Sequence, residues 1–176
     1  ETALRAELEK LGVKAGQRDS VDTLRGKLAK AVEAGKKQFV GFELPGRTLG
    51  VIGLGAIGVQ VANAALGLGL NVVAFDPGIS VEHAWHLSAE VERADSMEEV
   101  FRRADILTVH VPLIPATRGL VSTQRLALMK ETAVLLNFAR AEIVDTDAVV
   151  AALDEGTLRG YVCDFPSTQV HNHPKC

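Results

Sequence analysis

Aromatic residues are scarce in this chain, with one tryptophan, one tyrosine and six phenylalanines among 176 residues. Together with sixteen glycines, that scarcity points to an α/β protein with tight strand-to-helix turns. Cysteine is scarcer still: Cys163 lies inside an apolar run and Cys176 stands last. Two cysteines so placed argue against a disulfide framework and suit a reducing compartment. No apolar run reaches the roughly 20 residues that a membrane-spanning helix needs, and no signal-peptide pattern is present. The net charge of −3 and pI near 6.0 leave no electrostatic footprint for nucleic acid or an acidic membrane. The expectation is a soluble, cytoplasmic protein.

What is present fits one core. An apolar fraction of 47% with mean hydropathy of +0.15 suits a folded globule, and the length suffices for one sizeable domain. Leu4, Leu8 and Leu11 share one face of a short helix that Gly12 ends. A second helix starts near Asp19 or Ser20, carries Val21, Leu24, Leu28 and Val32, and finishes around Gly35, Lys36 and Lys37. A connector from Phe39 to Arg47 contains the turn pair Pro45-Gly46.

From Thr48 onward short apolar runs alternate with helical patterns, which predicts a parallel sheet covered on both faces. Strands are read at 49–52, 71–75, 106–110, 134–137 and 161–164, with a short one near Glu90. The first intervening helix shows a face of Ile57, Val61, Ala64, Ala65 and Leu68. A turn of helix is read around Trp85, and Ser96 opens a capping box for a helix reaching Arg103. Ser122 caps a helix with Leu126 and Met129; Asp145 caps one with Val149, Val150 and Leu153, stopped by Gly156.

The stretch Gly53-Leu54-Gly55-Ala56-Ile57-Gly58 reads G-x-G-x-x-G, leaving an apolar strand and opening a helix. Gly53 suits the tight turn, Gly55 close approach of a pyrophosphate to the backbone, and Gly58 close helix–strand packing. Free N–H groups at the helix start, where Ala56 and Ile57 lie, face the phosphates. Asp76 ends the next strand, 23 residues after Gly53, where a carboxylate accepts both adenosine ribose hydroxyls. It would repel a 2′-phosphate, and no Arg or Lys follows immediately, so the expected cofactor is NAD. The fold class is α/β: a Rossmann-type doubly wound parallel sheet with an N-terminal helical segment.

Several spaced runs resemble the D-2-hydroxyacid dehydrogenases. They are residues 44–58 (Leu44-Pro45-Gly46-Arg47-Thr48 through the glycine motif), residues 105–113, Thr117-Arg118-Gly119-Leu120 and Leu135-Leu136-Asn137-Phe138-Ala139-Arg140. Residues 32–43 and Ala84-Trp85-His86-Leu87 are similar to a branch of D-3-phosphoglycerate dehydrogenases. The resemblance spans about residues 36–175. It implies that His110, Val111 and Pro112 border the adenine and that Thr117 lies near the cofactor. It also implies that Phe138, Ala139 and Arg140 face the nicotinamide region, and that Asp164 holds the carboxamide. Arg140 is the catalytic candidate: a guanidinium that grips the substrate carboxylate and polarises the carbonyl. The substrate would be a small 2-hydroxy or 2-oxo acid, 3-phosphoglycerate in serine biosynthesis being favoured, and the partner a second copy of the chain.

The sequence also departs from that family. The expected organisation is an N-terminal helical segment (1–38), an NAD-binding domain (39–166) and a C-terminal tail (167–176), without a substrate domain. The family's catalytic histidine would follow the last residue, and its orienting acid would fall where Phe165-Pro166-Ser167-Thr168-Gln169 stands. The chain is therefore expected to bind cofactor without turnover, the alternative being a non-catalytic NAD sensor or scaffold on the same fold. Glu7-Leu8, Leu11-Gly12-Val13 and Gly16 faintly resemble a SAP-type DNA-binding helix pair. The segment is not strongly basic, and a helical pair packed on the domain or at a dimer interface is preferred. His171 with His173, and His83 with His86, lack a completing ligand set, so no metal is expected. Cys163 is expected buried and inert.

Overall fold

The fold is taken from a computed structural model, which describes residues 1–17, 19–38 and 41–176, with side chains at 34–38 outside the described set. It divides into two compact units, residues 1–43 and residues 44–176. In the first, α1 (Thr2–Lys10) and α2 (Val21–Gln38) bury Leu8 and Leu24 completely. Gly12, at φ +67°, takes the left-handed conformation that lets the chain leave α1. Ser20 Oγ accepts from Thr23 N at 3.2 Å and starts α2, while Asp19 accepts from Gly16 N and Lys27. The α2 backbone runs through Gly35, Lys36 and Lys37 to Gln38, one residue past the expected end. Of the 39–47 connector, Phe39 and Val40 lie outside the described residues; Gly46, at φ +80°, makes the expected turn.

The second unit is an all-parallel sheet of β1 (Thr48–Ile52), β2 (Asn71–Phe75), β3 (Glu92–Arg93), β4 (Ile106–Val109), β5 (Val134–Asn137) and β6 (Gly160–Cys163). Their order is β3-β2-β1-β4-β5-β6, so the chain reverses direction across the sheet between β1 and β4. Helices α3 (Ala56–Gly67) and α4 (Val81–His86) lie on one side; α5 (Met97–Arg103) packs on the other. The remaining helices are α6 (Thr123–Leu126), α7 (Thr146–Glu155) and α8 (Thr168–His171), with a 3-10 turn at Ala141–Ile143. Gly50 lets α5 settle on β1: a Cβ there would come within 2.7 Å of Val100 and 2.9 Å of Ala104. Val100, Phe101, Leu107, Leu135, Val149 and Leu153 form the heart of the core.

The α3 face differs from the expected one. The buried positions are Gly58, Val59, Ala62 and Ala65, whereas Ile57 is 66% and Leu68 59% exposed. Gly58 sits against the carbonyl of Gly53, and that contact sets the rotation of the helix. Residues 58, 62 and 65 then share the stripe facing the sheet. The short strand read near Glu90 falls at 92–93, and β4 and β6 each end one residue before the expected limit.

Ser96 Oγ accepts from Glu99 N at 3.2 Å as a capping box requires, but the Glu99 carboxylate returns to Asp95 N, one residue early. Ser122 makes no side-chain cap: α6 is a single turn, approached by chain held in the Val121–Val144 bridge, and Met129 lies beyond it. Asp145 caps α7 through Ala148 N at 3.2 Å, and Gly156 ends it at φ +76°.

The two edges of the sheet are finished differently. β3 is two exposed, charged residues long. Along β6, Tyr161 N donates to Lys175 O at 3.1 Å, while α8 beyond it buries Val170 in the core. Cys163, on this outer strand, is half-buried and not enclosed as expected.

Candidate functional site

The carboxyl ends of the strands gather most of the residues singled out in the sequence. Gly53 follows β1 at φ +94°, and its N–H bonds to Phe75 O at 3.0 Å. A side chain there would press on the His110 carbonyl at 2.6 Å. At Gly58 a Cβ would overlap the Gly53 carbonyl oxygen. Gly55 is different: nothing lies within 4 Å of where its Cβ would be. Two glycines are thus required by the protein's own packing, and the third keeps space open at the N-terminus of a 12-residue helix. The first N–H groups of α3 have no intrahelical acceptor, and the helix dipole adds positive potential there.

Asp76 follows β2. Its Oδ2 accepts from Leu54 N at 2.7 Å and its Oδ1 from Gly78 N at 2.8 Å, which locks the carboxylate beside the glycine turn. Each oxygen keeps a further acceptor site, so the group can still take two hydroxyl donors. Leu54 escaped the sequence reading because a backbone N–H contact leaves no signature in side-chain identity.

His110, Val111 and Pro112 follow β4 and line a cavity of about 560 Å³ with Ile57, Leu113, Phe138, Ala139 and Arg140. The outward turn of Ile57 is therefore explained: it belongs to the cavity wall. His110 Nε2 lies 3.0 Å from Thr108 Oγ1, itself buried. Burial lowers the His110 pKa, so the imidazole is neutral at pH 7.

Arg140 is exposed, and its guanidinium donates to Ala139 O at 2.8 Å; among the described residues it makes no ion pair. The turn that presents it is held by Asn137, only 2% exposed. Asn137 Nδ2 donates to Arg140 O at 2.9 Å and lies 3.3 Å from Tyr161 Oη, while Oδ1 accepts from Ala139 N at 3.1 Å. An amide ending an otherwise apolar strand was the available signal for this residue. Burial pushes the Tyr161 phenol well above its ordinary range, keeping it a neutral partner.

Two expected residues stand apart. The Thr117 hydroxyl is spent inside its loop, donating to Pro112 O at 2.5 Å and accepting from Ile114 N at 2.9 Å. Asp164 is exposed beyond β6, with its N–H 3.4 Å from Asn137 O, and does not line this cavity. Among the described residues no three His, Cys, Asp or Glu side chains converge as a metal site.

Residues 19–175 match the family described as D-isomer specific 2-hydroxyacid dehydrogenase, NAD binding domain. The chain belongs to this family. This NAD-binding domain is 44% identical over 129 residues to a D-3-phosphoglycerate dehydrogenase of Methanocaldococcus jannaschii, covering 73% of this chain and 24% of that protein. It is 39% identical over 124 residues to a glyoxylate reductase of Pyrococcus horikoshii, covering 70% and 36%. Among solved structures, the NAD-complexed D-isomer specific 2-hydroxyacid dehydrogenase of Lactobacillus delbrueckii ssp. bulgaricus superposes with a TM-score of 0.65 at 33% identity, covering 75% of this chain and 39% of that one. The NAD-binding domain thus spans about a quarter to two fifths of the relatives' length. The open space at Gly55 and the doubly anchored Asp76 fit an NAD pyrophosphate and ribose. No helix among the described residues is long and apolar enough to cross a membrane.

Proposed function

We infer that the chain is the cofactor-binding part of an enzyme that moves a hydride between NAD and a small 2-hydroxy acid. The observation that carries this reading is the presence, at the carboxyl ends of the strands, of an acceptor-only carboxylate at Asp76 and of the Arg140 guanidinium, without an ion pair among the described residues, on the His110–Phe138 cavity. NAD, when bound, supplies the hydride acceptor or donor. Asp76 holds the adenosine ribose and disfavours a 2′-phosphate by charge. Gly55 and the first turn of α3 receive the pyrophosphate. Arg140 grips the substrate carboxylate with two parallel hydrogen bonds and stays charged throughout. Ile57, Val111 and Phe138 give that cavity an apolar wall beside Arg140.

The favoured substrate is 3-phosphoglycerate. The 44% identity to a D-3-phosphoglycerate dehydrogenase supports it, and the 39% identity to a glyoxylate reductase makes glyoxylate the comparison to run. Such a protein would sit in serine biosynthesis in the cytoplasm, act as a homodimer, and leave this chain alone able to bind cofactor without turnover.

The test is calorimetric titration of the chain with NADH and with NADPH. NADH is expected to bind roughly tenfold or more tightly than NADPH, a gap of about 1.4 kcal/mol. Asp76→Ala is expected to narrow it. Equal affinities in the unsubstituted chain would overturn the assignment of Asp76.

A further inference from the structure

The only two cysteines of the chain meet at the outer border of the sheet. Cys163 ends β6, half-buried against the core, on the same face of the strand as Tyr161 two residues earlier. Cys176 is brought back to it by the segment that follows α8. Val170 is buried in the core, His173 Nε2 lies 3.2 Å from Asp154 Oδ1, and Lys175 Nζ donates to Leu153 O at 2.6 Å. Lys175 O then accepts from Tyr161 N at 3.1 Å, which sets the next residue beside β6. There the Cys176 thiol donates to the Cys163 sulfur, which also accepts from the Tyr161 hydroxyl. Both cysteines are free thiols.

We propose that Cys163 and Cys176 form a redox modification site, two thiols that a peroxide converts into an internal disulfide and a dithiol reductant restores. One sulfur, as its thiolate, attacks an oxygen of hydrogen peroxide. The O–O bond breaks, and the departing hydroxide takes up the proton that the thiol released and leaves as water. The second sulfur, also as thiolate, attacks the sulfenic acid so formed; the S–O bond breaks, and a second water leaves with the second thiol's proton. The two thiols lose two electrons, and the peroxide is reduced to two waters. The thiol–thiol contact keeps the second sulfur beside the sulfenic acid, so closure outruns further oxidation. Cys176 is exposed, which gives the reductant access to the bond. In a reducing compartment the pair rests as thiols, and the bond is a response to oxidation, not a structural framework. Once made, it closes the loop 163–176 and pins the carboxyl-terminal segment to β6.

The experiment treats the 176-residue chain with a small excess of hydrogen peroxide, then with dithiothreitol. Intact mass, peptide mapping and amide hydrogen exchange are read at each stage. The expected product is a monomer lighter by two hydrogens, about 2 Da, with Cys163 and Cys176 joined in one cross-linked peptide. Exchange at the Tyr161 amide, whose acceptor is Lys175 O, is expected to slow by at least about tenfold and to recover on reduction. Cys176→Ser, a change at an exposed position, should keep its NADH affinity and lose both responses. Absence of the cross-link in the unsubstituted chain, whether its thiols stay intact or pass to sulfinic acid, would overturn the proposal. So would disulfide-linked dimers in place of the internal bond, or unchanged exchange at Tyr161 once that bond has formed.

Discussion

Replacing Gly55 and Gly58 in turn by alanine separates ligand space from packing space within one motif. Gly55 has φ −73° and ψ −169°, a region open to any residue, and nothing within 4 Å of an added Cβ. Removing a glycine from the unfolded chain gains about 0.4–1 kcal/mol, but alanine is the poorer N-cap by about as much. The two effects offset, so Gly55→Ala should leave stability within about 0.5 kcal/mol of the parent. The added methyl stands where the pyrophosphate must approach, and NADH affinity should fall by about 10- to 100-fold, or 1.4–2.8 kcal/mol.

Gly58→Ala reverses the pattern. Its Cβ would overlap the Gly53 carbonyl, backbone that cannot rotate aside, so α3 must lift from the sheet. Overpacking of that kind costs about 3 kcal/mol, near the top of its usual range. At roughly 4 °C per kcal/mol for a domain of this size, Tm should drop by about 12 °C. Thermal unfolding by circular dichroism with calorimetric NADH titration reads both quantities. Unchanged NADH affinity in Gly55→Ala would refute the reading of its open space as ligand space. An unchanged Tm in Gly58→Ala would refute the packing argument.

Asn137→Ala leaves Tyr161 Oη and Ala139 N without their partner at a buried position and should cost about 2 kcal/mol in denaturant unfolding, against almost nothing at an exposed asparagine. Burial raises the Asp105 pKa, but hydrogen bonds from Thr48 N and Lys130 outweigh it and leave the carboxyl below its ordinary value. That stability is present above the unfolded pKa near 3.8 and is lost as pH falls through the folded value; Asp105→Asn should flatten the acid limb of the stability–pH curve. His110 has a lowered pKa too, so stability should decline as pH falls below the ordinary histidine value of 6.5, and its imidazole NMR titration should be centred below that value. Asp145→Ala removes the α7 cap and should cost about 1 kcal/mol by the same unfolding assay.

The parallel sheet was legible because strands such as Val134–Asn137 and Asn71–Phe75 are short apolar runs closed by turn residues. The phosphate turn was legible because its three glycines do different steric jobs at fixed spacing. The rotation of α3 was not: it is apolar on nearly every side, so periodicity could not choose a face, and a backbone contact at Gly58 decided it. Ser122 misled because a cap needs the hydroxyl to reach back to its own helix, and the Val121–Val144 bridge is a long-range feature. At the site, the main-chain clamp on Asp76 and the inward amide of Asn137 depend on where the backbone turns. The Thr117 hydroxyl closes its own loop for the same reason.

The contrast between the two sheet edges bears on how this protein behaves in a crowded solution. A strand with unpaired donors invites another chain to extend it, the first step toward aggregation. β3 offers only two residues, both charged, too short and too hydrophilic to template a partner. On the other side, the Tyr161 donor is already taken by Lys175, so the carboxyl-terminal segment works as a selvedge for the sheet. Loosening that segment would turn β6 from a finished border into a sticky one.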